Sequence, residues 1–99
     1  MKIALLGYGK MGKAIEKIAL ERGDEIIIKV DSNNSNTLKL DSFKNTEVAI
    51  DFSTPSTAQR NIELALRSKT PIISGTTGWL DGLQTVNQLC LSENTAFLY

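Results

Sequence analysis

With 99 residues and eleven basic against eleven acidic side chains, the chain is long enough for one domain, residues 1–99, with a modest hydrophobic core. The balanced charge, without a basic patch, argues against a nucleic-acid partner, and no apolar run approaches the roughly 18 residues of a membrane span. The single cysteine, Cys90, cannot form an internal disulfide, so the expected compartment is the reducing cytoplasm.

The first predicted elements are a strand, a glycine-rich loop and a helix. Residues 2–6 form a short apolar run that predicts a buried strand, and the sequence Gly7-Tyr8-Gly9-Lys10-Met11-Gly12 follows it. A helix is expected over residues 10–21, ending with Arg22 and Gly23. Its charged side chains, including Glu16, are interpreted as a solvated face. Its apolar stripe comprises Met11, Ala14, Ile15, Ile18 and Ala19.

Each glycine of this first loop has a distinct expected role. Gly7 allows a tight turn, Gly9 lets the backbone approach a ligand, and Gly12 lets the helix pack closely on the strand. The free N–H groups at the helix start would face an anion, most simply a pyrophosphate. The glycine pattern alone is weak support, because glycines also form ordinary turns.

A second strand is expected over residues 25–30, where three consecutive isoleucines suggest burial on both faces. Asp31 follows it directly, where a carboxylate would meet the ribose hydroxyls of a dinucleotide. The alternative is that Asp31 forms a turn with Ser32 and Asn33. Residues 32–47 are interpreted as an irregular connection that could include a short edge strand near residues 37–40.

The second half of the chain repeats the alternation of strand and helix. Strands are expected over residues 48–52, 70–74 and 95–99. Thr54 and Pro55 start a helix that ends near Ser68 or Lys69. Asp81 and Gln84 resemble a capping box for another helix. The inward faces of the two helices comprise Ala58, Ile62, Ala65 and Leu66 in the first, and Leu83, Val86 and Cys90 in the second.

This alternation predicts an α/β fold, a doubly wound parallel sheet with helices on both faces. The expected strand order is 25–30, 2–6, 48–52, 71–74 and 96–99. A ligand crevice should open between strands 2–6 and 48–52 at their carboxyl ends. Four marked segments converge there: residues 7–12, Asp31, residues 53–55 and the second glycine loop, 75–78. Asp51 is assigned no role, and Trp79 is interpreted as a packing residue.

Three motifs together resemble one enzyme family. They are the first glycine loop, Ile-Asp-Phe-Ser-Thr-Pro at residues 50–55, and Ile-Ser-Gly-Thr-Thr-Gly at residues 73–78. The chain is similar over its whole length to the cofactor half of dihydrodipicolinate reductase, now called 4-hydroxy-tetrahydrodipicolinate reductase, of bacterial lysine and diaminopimelate synthesis. The resemblance implies a Rossmann-type NAD(P)-binding domain. Many members have a longer first loop with arginine where this chain has Lys10.

The resemblance also implies the roles of individual residues. The first loop would hold the cofactor pyrophosphate with Gly7, Tyr8, Gly9, Lys10, Met11 and Gly12. Asp31, with Ser32 beside it, would take the adenine ribose. The nicotinamide half would lie against Phe52, Ser53, Gly75, Thr76 and Thr77. The alternative for residues 75–78 is a plain turn between strand and helix. Because no arginine follows Asp31, NADH is expected to bind at least as well as NADPH.

Family members are longer and carry a substrate domain with a His-His-x-x-Lys segment, whereas this chain has no histidine. The resemblance therefore implies no catalytic residue in these 99 residues and no metal, and we expect them alone to be inactive. The whole enzyme would be a homo-oligomer that reduces a small cyclic dicarboxylate. Two other hypotheses are a non-catalytic nucleotide-sensing module and the cofactor domain of another small dehydrogenase, such as pyrroline-carboxylate reductase.

Overall fold

Parallel strands form one sheet, and helices lie on both of its faces. The computed structural model describes residues 1–31, 34, 38–76, 78 and 82–98. In this part of the chain the sheet has five strands, β1 (Lys2–Leu6), β2 (Glu25–Val30), β3 (Val48–Asp51), β4 (Ile72–Ser74) and β5 (Phe97–Leu98). The helices are α1 (Lys10–Glu21), α2 (Pro55–Arg67) and α3 (Leu83–Ser92), and Leu40–Phe43 forms a turn of 3₁₀ helix.

The strand order is β2-β1-β3-β4-β5, with every neighbouring pair parallel. This confirms the order predicted from the sequence, including the reversal of direction of winding between β1 and β3. At such a switch point the loops that leave the two strands run to opposite sides of the sheet and leave a crevice at the carboxyl ends. The predicted doubly wound α/β fold is therefore confirmed.

Alternate residues of β1 supply the two halves of the core. Ala4 and Leu6 point to the face that α2 and α3 cover, where they lie in one buried cluster with Ile62, Leu66 and Val86. Ile3 and Leu5 point to the opposite face and pack with Ala19 of α1. Burial on both faces of β1 is typical of a central strand in a parallel sheet.

Helix α2 starts and packs as its sequence predicts. Thr54 is its N-cap residue and Pro55 its first residue. Thr57 Oγ1 accepts a hydrogen bond from the Thr54 backbone N–H at 3.3 Å. The four residues predicted for its inward face, Ala58, Ile62, Ala65 and Leu66, are all fully buried. In α3 the same is true of Val86, while Leu83 and Cys90 are partly buried against the core.

The predicted apolar stripe of α1 is partly wrong. Ile15 and Ala19 face the sheet, but Met11 and Ile18 are 53% and 57% exposed, and Ala14 is exposed as well. The reason is that α1 packs mainly on β1 and β2, so a narrower strip of the helix is buried. The isoleucines of β2 are likewise only half-buried, not buried on both faces, because β2 is at the edge of the described sheet.

The connection between β2 and β3 contains no strand at residues 38–40, so the suggested edge strand is wrong for these residues. Leu38 and Phe43 are buried under α2, and the 3₁₀ turn lies between them. Arg60 Nη2 donates a hydrogen bond to the Leu38 carbonyl at 3.0 Å, which ties the connection to α2. The predicted roles of Trp79 and of Asp81 as a cap fall outside the described residues, and α3 follows Gly82 directly.

Strands β3, β4 and β5 are shorter than predicted.

Among the described helices, none has the length and the apolar character that a membrane span requires.

Candidate functional site

Backbone hydrogen bonds join the loops at the carboxyl ends of the strands. Gly7 N–H donates to the Val30 carbonyl at 2.7 Å and Phe52 N–H to the Leu6 carbonyl at 2.9 Å. Gly75 N–H donates to the Asp51 carbonyl at 2.8 Å. These bonds continue the pairing of the sheet one residue beyond the strands. The loops after β1, β2, β3 and β4 are therefore held side by side.

A cleft of about 400 Å³ opens between the ends of β1 and β3. This is the position predicted from the strand order. The cleft is lined by Gly7, Tyr8, Gly9, Val30, Asp31, Phe52, Ser53, Thr54, Thr57 and Asn61. Six of these residues were predicted as cofactor ligands from the sequence, and they come from three separate loops.

Other predicted site residues lie around the cleft. Lys10, Met11 and Gly12 form the first turn of α1, immediately behind Gly9. Gly75 and Thr76 follow β4, on the far side of Phe52 from the first loop. Ser32 and Thr77 lie outside the described residues.

The three glycines of the first loop differ in what surrounds them. Gly7 has a φ of +107°, and a side chain there would overlap the Phe52 carbonyl. A Cβ at Gly12 would overlap the Gly7 carbonyl oxygen, so Gly12 brings the start of the helix against the turn that follows β1. A Cβ at Gly9 would meet no heavy atom within 4 Å, and Gly9 lines the cleft. There is room at Gly9 for a ligand to approach the backbone.

The amino end of α1 is directed to this space. Gly9 is the N-cap residue, it provides no side-chain cap, and the first turn contains no acidic residue. The first N–H groups of a helix have no partner within the helix, and the helix dipole gives them a partial positive charge. A phosphate group placed over Gly9 would accept hydrogen bonds from these donors.

Tyr8 is held in place by a charged cluster that the sequence pattern did not predict. Its hydroxyl donates to Glu16, and Lys29 Nζ forms an ion pair with Glu16 at 2.9 Å. Lys29 and Lys13 lie over the ring, 5.1 and 5.8 Å from its centre. The interpretation of Glu16 as merely solvated is wrong, because it joins the glycine loop to α1 and β2. The available signal was a tyrosine in the loop just before α1 and a glutamate within that helix.

The cluster shifts the ionisation of its members. The hydrogen bond to Glu16 raises the pKa of Tyr8 and lowers the pKa of Glu16. The hydrogen bond from Lys29 further lowers the pKa of Glu16, and it raises the pKa of Lys29. Tyr8 is therefore a neutral hydrogen-bond donor and Glu16 a carboxylate over the neutral pH range.

Asp31 takes part both in the turn and in the cleft. Its Oδ1 accepts a hydrogen bond from Asn34 N–H at 3.2 Å, and its own N–H donates to Asn34 Oδ1 at 2.7 Å. This reciprocal pair of hydrogen bonds forms a turn at Asp31, which was the alternative to a ribose-binding role in the sequence analysis. The same residue lines the cleft beside Val30. The turn fixes the carboxyl group at the end of β2.

The second glycine loop packs against β3. A side chain at Gly75 would overlap the Phe52 ring, so the two segments are in close contact. Thr76 Oγ1 donates to Asp51 Oδ2 at 2.8 Å. Asp51 is fully buried and also accepts hydrogen bonds from Ser53, Asn61 and Ser74. The sequence signal for this cluster was a carboxylate inside an apolar strand, which requires polar partners.

The described residues contain no group of three or more histidine, cysteine, aspartate or glutamate side chains that could hold a metal ion. Backbone donors, hydroxyl groups and one carboxylate of the cleft are instead suited to a phosphate-bearing ligand with sugar hydroxyls.

Comparison with known families and proteins gives a consistent result. Residues 1–98 match the family described as dihydrodipicolinate reductase, N-terminus. The 4-hydroxy-tetrahydrodipicolinate reductase of Christiangramia forsetii is 44% identical over 99 residues, which are 100% of this chain and 41% of that protein. The enzyme of the same name from Rickettsia rickettsii is 44% identical over 81 residues, 79% of this chain and 34% of that protein. The chain thus spans about two fifths or less of the length of these relatives.

Two solved structures share the fold. A hyperthermophilic archaeal homoserine dehydrogenase in complex with NADPH superposes with a TM-score of 0.74 at 12% identity, covering 99% of this chain and 43% of that chain. The homoserine dehydrogenase of S. aureus gives a TM-score of 0.70 at 19% identity, covering 99% of this chain and 32% of that chain. At these identities the similarity concerns the fold alone.

Proposed function

This chain belongs to the dihydrodipicolinate reductase family, and from that premise we propose that it is the NAD(P)H-binding domain of a 4-hydroxy-tetrahydrodipicolinate reductase. The observation that carries the proposal is the cleft at the switch point between β1 and β3. It brings the first glycine loop, Asp31 and the segment Phe52-Ser53 to one place.

A dinucleotide fits the chemistry of this cleft. The pyrophosphate would lie over Gly9, where a Cβ would occupy open space and the N–H groups of the first turn of α1 are directed outward. Lys10, in the same turn, adds a positive charge beside it. The adenine ribose would donate its hydroxyl protons to Asp31, as in other folds of this class. Gly7 and Gly12 keep the turn tight enough for this approach.

The nicotinamide half would extend along the loops after β3 and β4. Phe52 offers an apolar wall, and Ser53 and Thr76 provide hydroxyl groups. Gly75 lets the second loop lie directly against the Phe52 ring. Thr77 completes this set in the proposal. When bound, NAD(P)H supplies the hydride, while these residues bind the cofactor, orient it and limit access of water to one side of the ring.

These 99 residues contain no histidine, and the proposal places no proton donor among them. The substrate, a small cyclic dicarboxylate, and its proton donor would be held by the part of the enzyme that corresponds to the unmatched length of the relatives. We propose that the whole enzyme is a cytoplasmic homo-oligomer of lysine and diaminopimelate synthesis. Leu98 is 63% exposed beside Ile73, which gives a surface that further protein could cover.

The cofactor preference follows from Asp31. A carboxylate at this position accepts hydrogen bonds from both ribose hydroxyls of NADH and repels the 2′-phosphate of NADPH. We therefore propose that NADH binds at least as well as NADPH. No basic residue directly follows Asp31 in the sequence to reverse this order.

Fluorescence titration of NADH and NADPH tests the proposal. Asp31→Ala should weaken NADH by at least roughly tenfold, the effect of losing one hydrogen bond to a charged group, and should weaken NADPH less. Asp41→Ala is the matched control, because it removes an exposed acidic side chain near the opposite end of the sheet. Equal losses for both cofactors would remove Asp31 from the ribose site, and absence of binding to the wild-type chain would refute the proposed function.

A further inference from the structure

Asp51 lies at the carboxyl end of β3, fully buried, and its carboxyl group accepts four hydrogen bonds. Oδ1 accepts from Ser53 Oγ at 2.7 Å and from Asn61 Nδ2 at 3.2 Å. Oδ2 accepts from Ser74 Oγ at 2.9 Å and from Thr76 Oγ1 at 2.8 Å. The four donors come from the loop after β3, from α2, from the end of β4 and from the loop after β4.

Burial of this carboxylate destabilises the fold unless every hydrogen-bond partner is in place. An unpaired buried carboxylate is strongly unfavourable, and the two oxygens of a carboxylate offer about four acceptor positions. The four donors to Asp51 fill these positions. A fully satisfied polar network of this kind holds its members in one arrangement. A substitution of Asp51 would therefore alter the positions of the loops after β3 and β4.

The network reaches the cleft, and this distinguishes it from a merely structural one. Ser53 and Asn61 line the cleft, and Thr76 belongs to the second glycine loop. A hydroxyl group has one proton to donate. Because Asp51 accepts the protons of Ser53 and Thr76, these two hydroxyls can offer a ligand only their oxygen lone pairs.

We propose that Asp51 is a positioning residue for the nicotinamide wall, by which we mean Phe52, Ser53, Gly75 and Thr76. It determines the shape of this wall and the direction of its hydrogen bonds. It holds Ser53 and Thr76 at a fixed separation, and it makes both hydroxyls obligate acceptors. The ligand group that this wall selects is a donor, such as the carboxamide NH₂ or a ribose hydroxyl of the nicotinamide half. The inference rests on the proposed function and adds to it which half of the cofactor Asp51 controls.

Asp51→Asn tests the polarity with little change in shape. Asn61 donates to Oδ1, so the carbonyl oxygen of the new amide would stay at that position and its NH₂ would face Ser74 and Thr76. Thr76 would then accept a hydrogen bond, and its own proton would turn elsewhere. Ser74→Ala is a second variant, because it removes one donor from Oδ2 and the acceptor of the Thr76 N–H, and Ser74 itself does not line the cleft.

The readout compares two ligands, NADH and ADP-ribose, which lacks the nicotinamide ring. We expect Asp51→Asn to weaken NADH by roughly three- to tenfold, the effect of one misdirected hydrogen bond, and to leave ADP-ribose unchanged. Ser74→Ala should act in the same direction. Ser68→Ala is the control, since it removes a hydroxyl that donates to the Ala65 carbonyl at the other end of the sheet.

A loss confined to NADH supports the proposal, whereas equal losses for the two ligands, or no loss in a folded variant, overturn it. If Asp51→Asn does not fold, Ser74→Ala decides by the same criteria. Wild-type binding of ADP-ribose and NADH with equal affinity would also overturn the inference but leave the adenine site of the proposed function intact. Binding of neither ligand would refute the proposed function and this inference with it.

Discussion

Valine substitutions at Gly9 and Gly12 should separate cofactor binding from stability. Both glycines belong to the first loop, but their surroundings differ. A Cβ at Gly9 meets nothing within 4 Å, and the φ of −90° there is negative, so a side chain is not forced into the left-handed region. A Cβ at Gly12 overlaps the backbone carbonyl of Gly7, which cannot rotate away as a side chain would.

The expected stability changes follow from these contacts. Overpacking of this kind costs about 1–3 kcal/mol, and the better helix propensity of valine over glycine offsets at most about 0.5 kcal/mol. In a domain of about 100 residues each kcal/mol shifts Tm by roughly 4–8 °C, so Gly12→Val should lower Tm on the order of 10 °C. Gly9→Val loses only the preference of glycine at an N-cap, below about 1 kcal/mol.

Binding should show a different pattern. The isopropyl group at residue 9 would occupy the space over the amino end of α1, so we expect Gly9→Val to abolish NADH binding while the domain stays folded. Gly12→Val should weaken NADH binding and lower the stability of the domain. Thermal unfolding by circular dichroism and NADH fluorescence titration measure the two effects. Ala14→Val, on the exposed side of α1, controls for a branched residue in this helix.

Retention of NADH affinity by a folded Gly9→Val would refute the placement of the pyrophosphate. A wild-type Tm in Gly12→Val would refute the close contact between α1 and the turn after β1.

Two further predictions concern pH and turnover. Because the folded-state pKa of Glu16 is lowered, its contribution to stability is present above its ordinary pKa of 4.5 and is lost as the pH falls through the folded-state value. The difference in unfolding free energy between wild type and Glu16→Gln, measured by urea denaturation, should therefore be largest at neutral pH and shrink well below pH 4.5, and a constant difference would contradict the assignment. These 99 residues should bind NADH but not turn over dihydrodipicolinate-type substrate, because hydride transfer needs a substrate held about 3–3.5 Å away and a proton donor. A steady-state rate near that of a full-length relative would contradict this division between cofactor and substrate domains.

The bounds of α1 and β2 could be predicted because they depend on local patterns. The order of the strands could be predicted because the alternation of these elements leaves few possible topologies. An apolar run, a glycine loop and a helical period identify β1 and α1, and right-handed crossovers then restrict the order of the sheet. Thr54 and Pro55 locate the start of α2 for the same local reason. The predicted crevice followed from the strand order and needed no side-chain detail.

The face of α1 could not be predicted in the same way. Apolar residues recur along the helix at a helical period, but which of them are buried depends on how α1 lies over β1 and β2. The contact of Gly12 with the Gly7 carbonyl and the pairing of Glu16 with Tyr8 help to set that orientation. Both arise only in three dimensions, and they leave Met11 and Ile18 outside the contact.

The network around Asp51 was hidden for a related reason. Its partners Ser74 and Thr76 are 23 and 25 residues away in the chain, and the pairing of β3 with β4 brings them together. The sequence shows that a buried carboxylate needs partners but not which hydroxyls will provide them. Asn61 reaches the same carboxylate from α2 because of the crossover that α2 makes over the sheet.

The most direct test of the central claim, that this domain binds NAD(P)H in the cleft between β1 and β3, is a titration of the isotope-labelled chain with NADH followed by amide NMR shifts. We expect saturable shifts at the cleft residues Gly7, Gly9, Asp31 and Ser53, and none around Thr46 at the opposite end of the sheet. Saturable shifts confined to the opposite end, or no saturable shift at the cleft, would contradict the account.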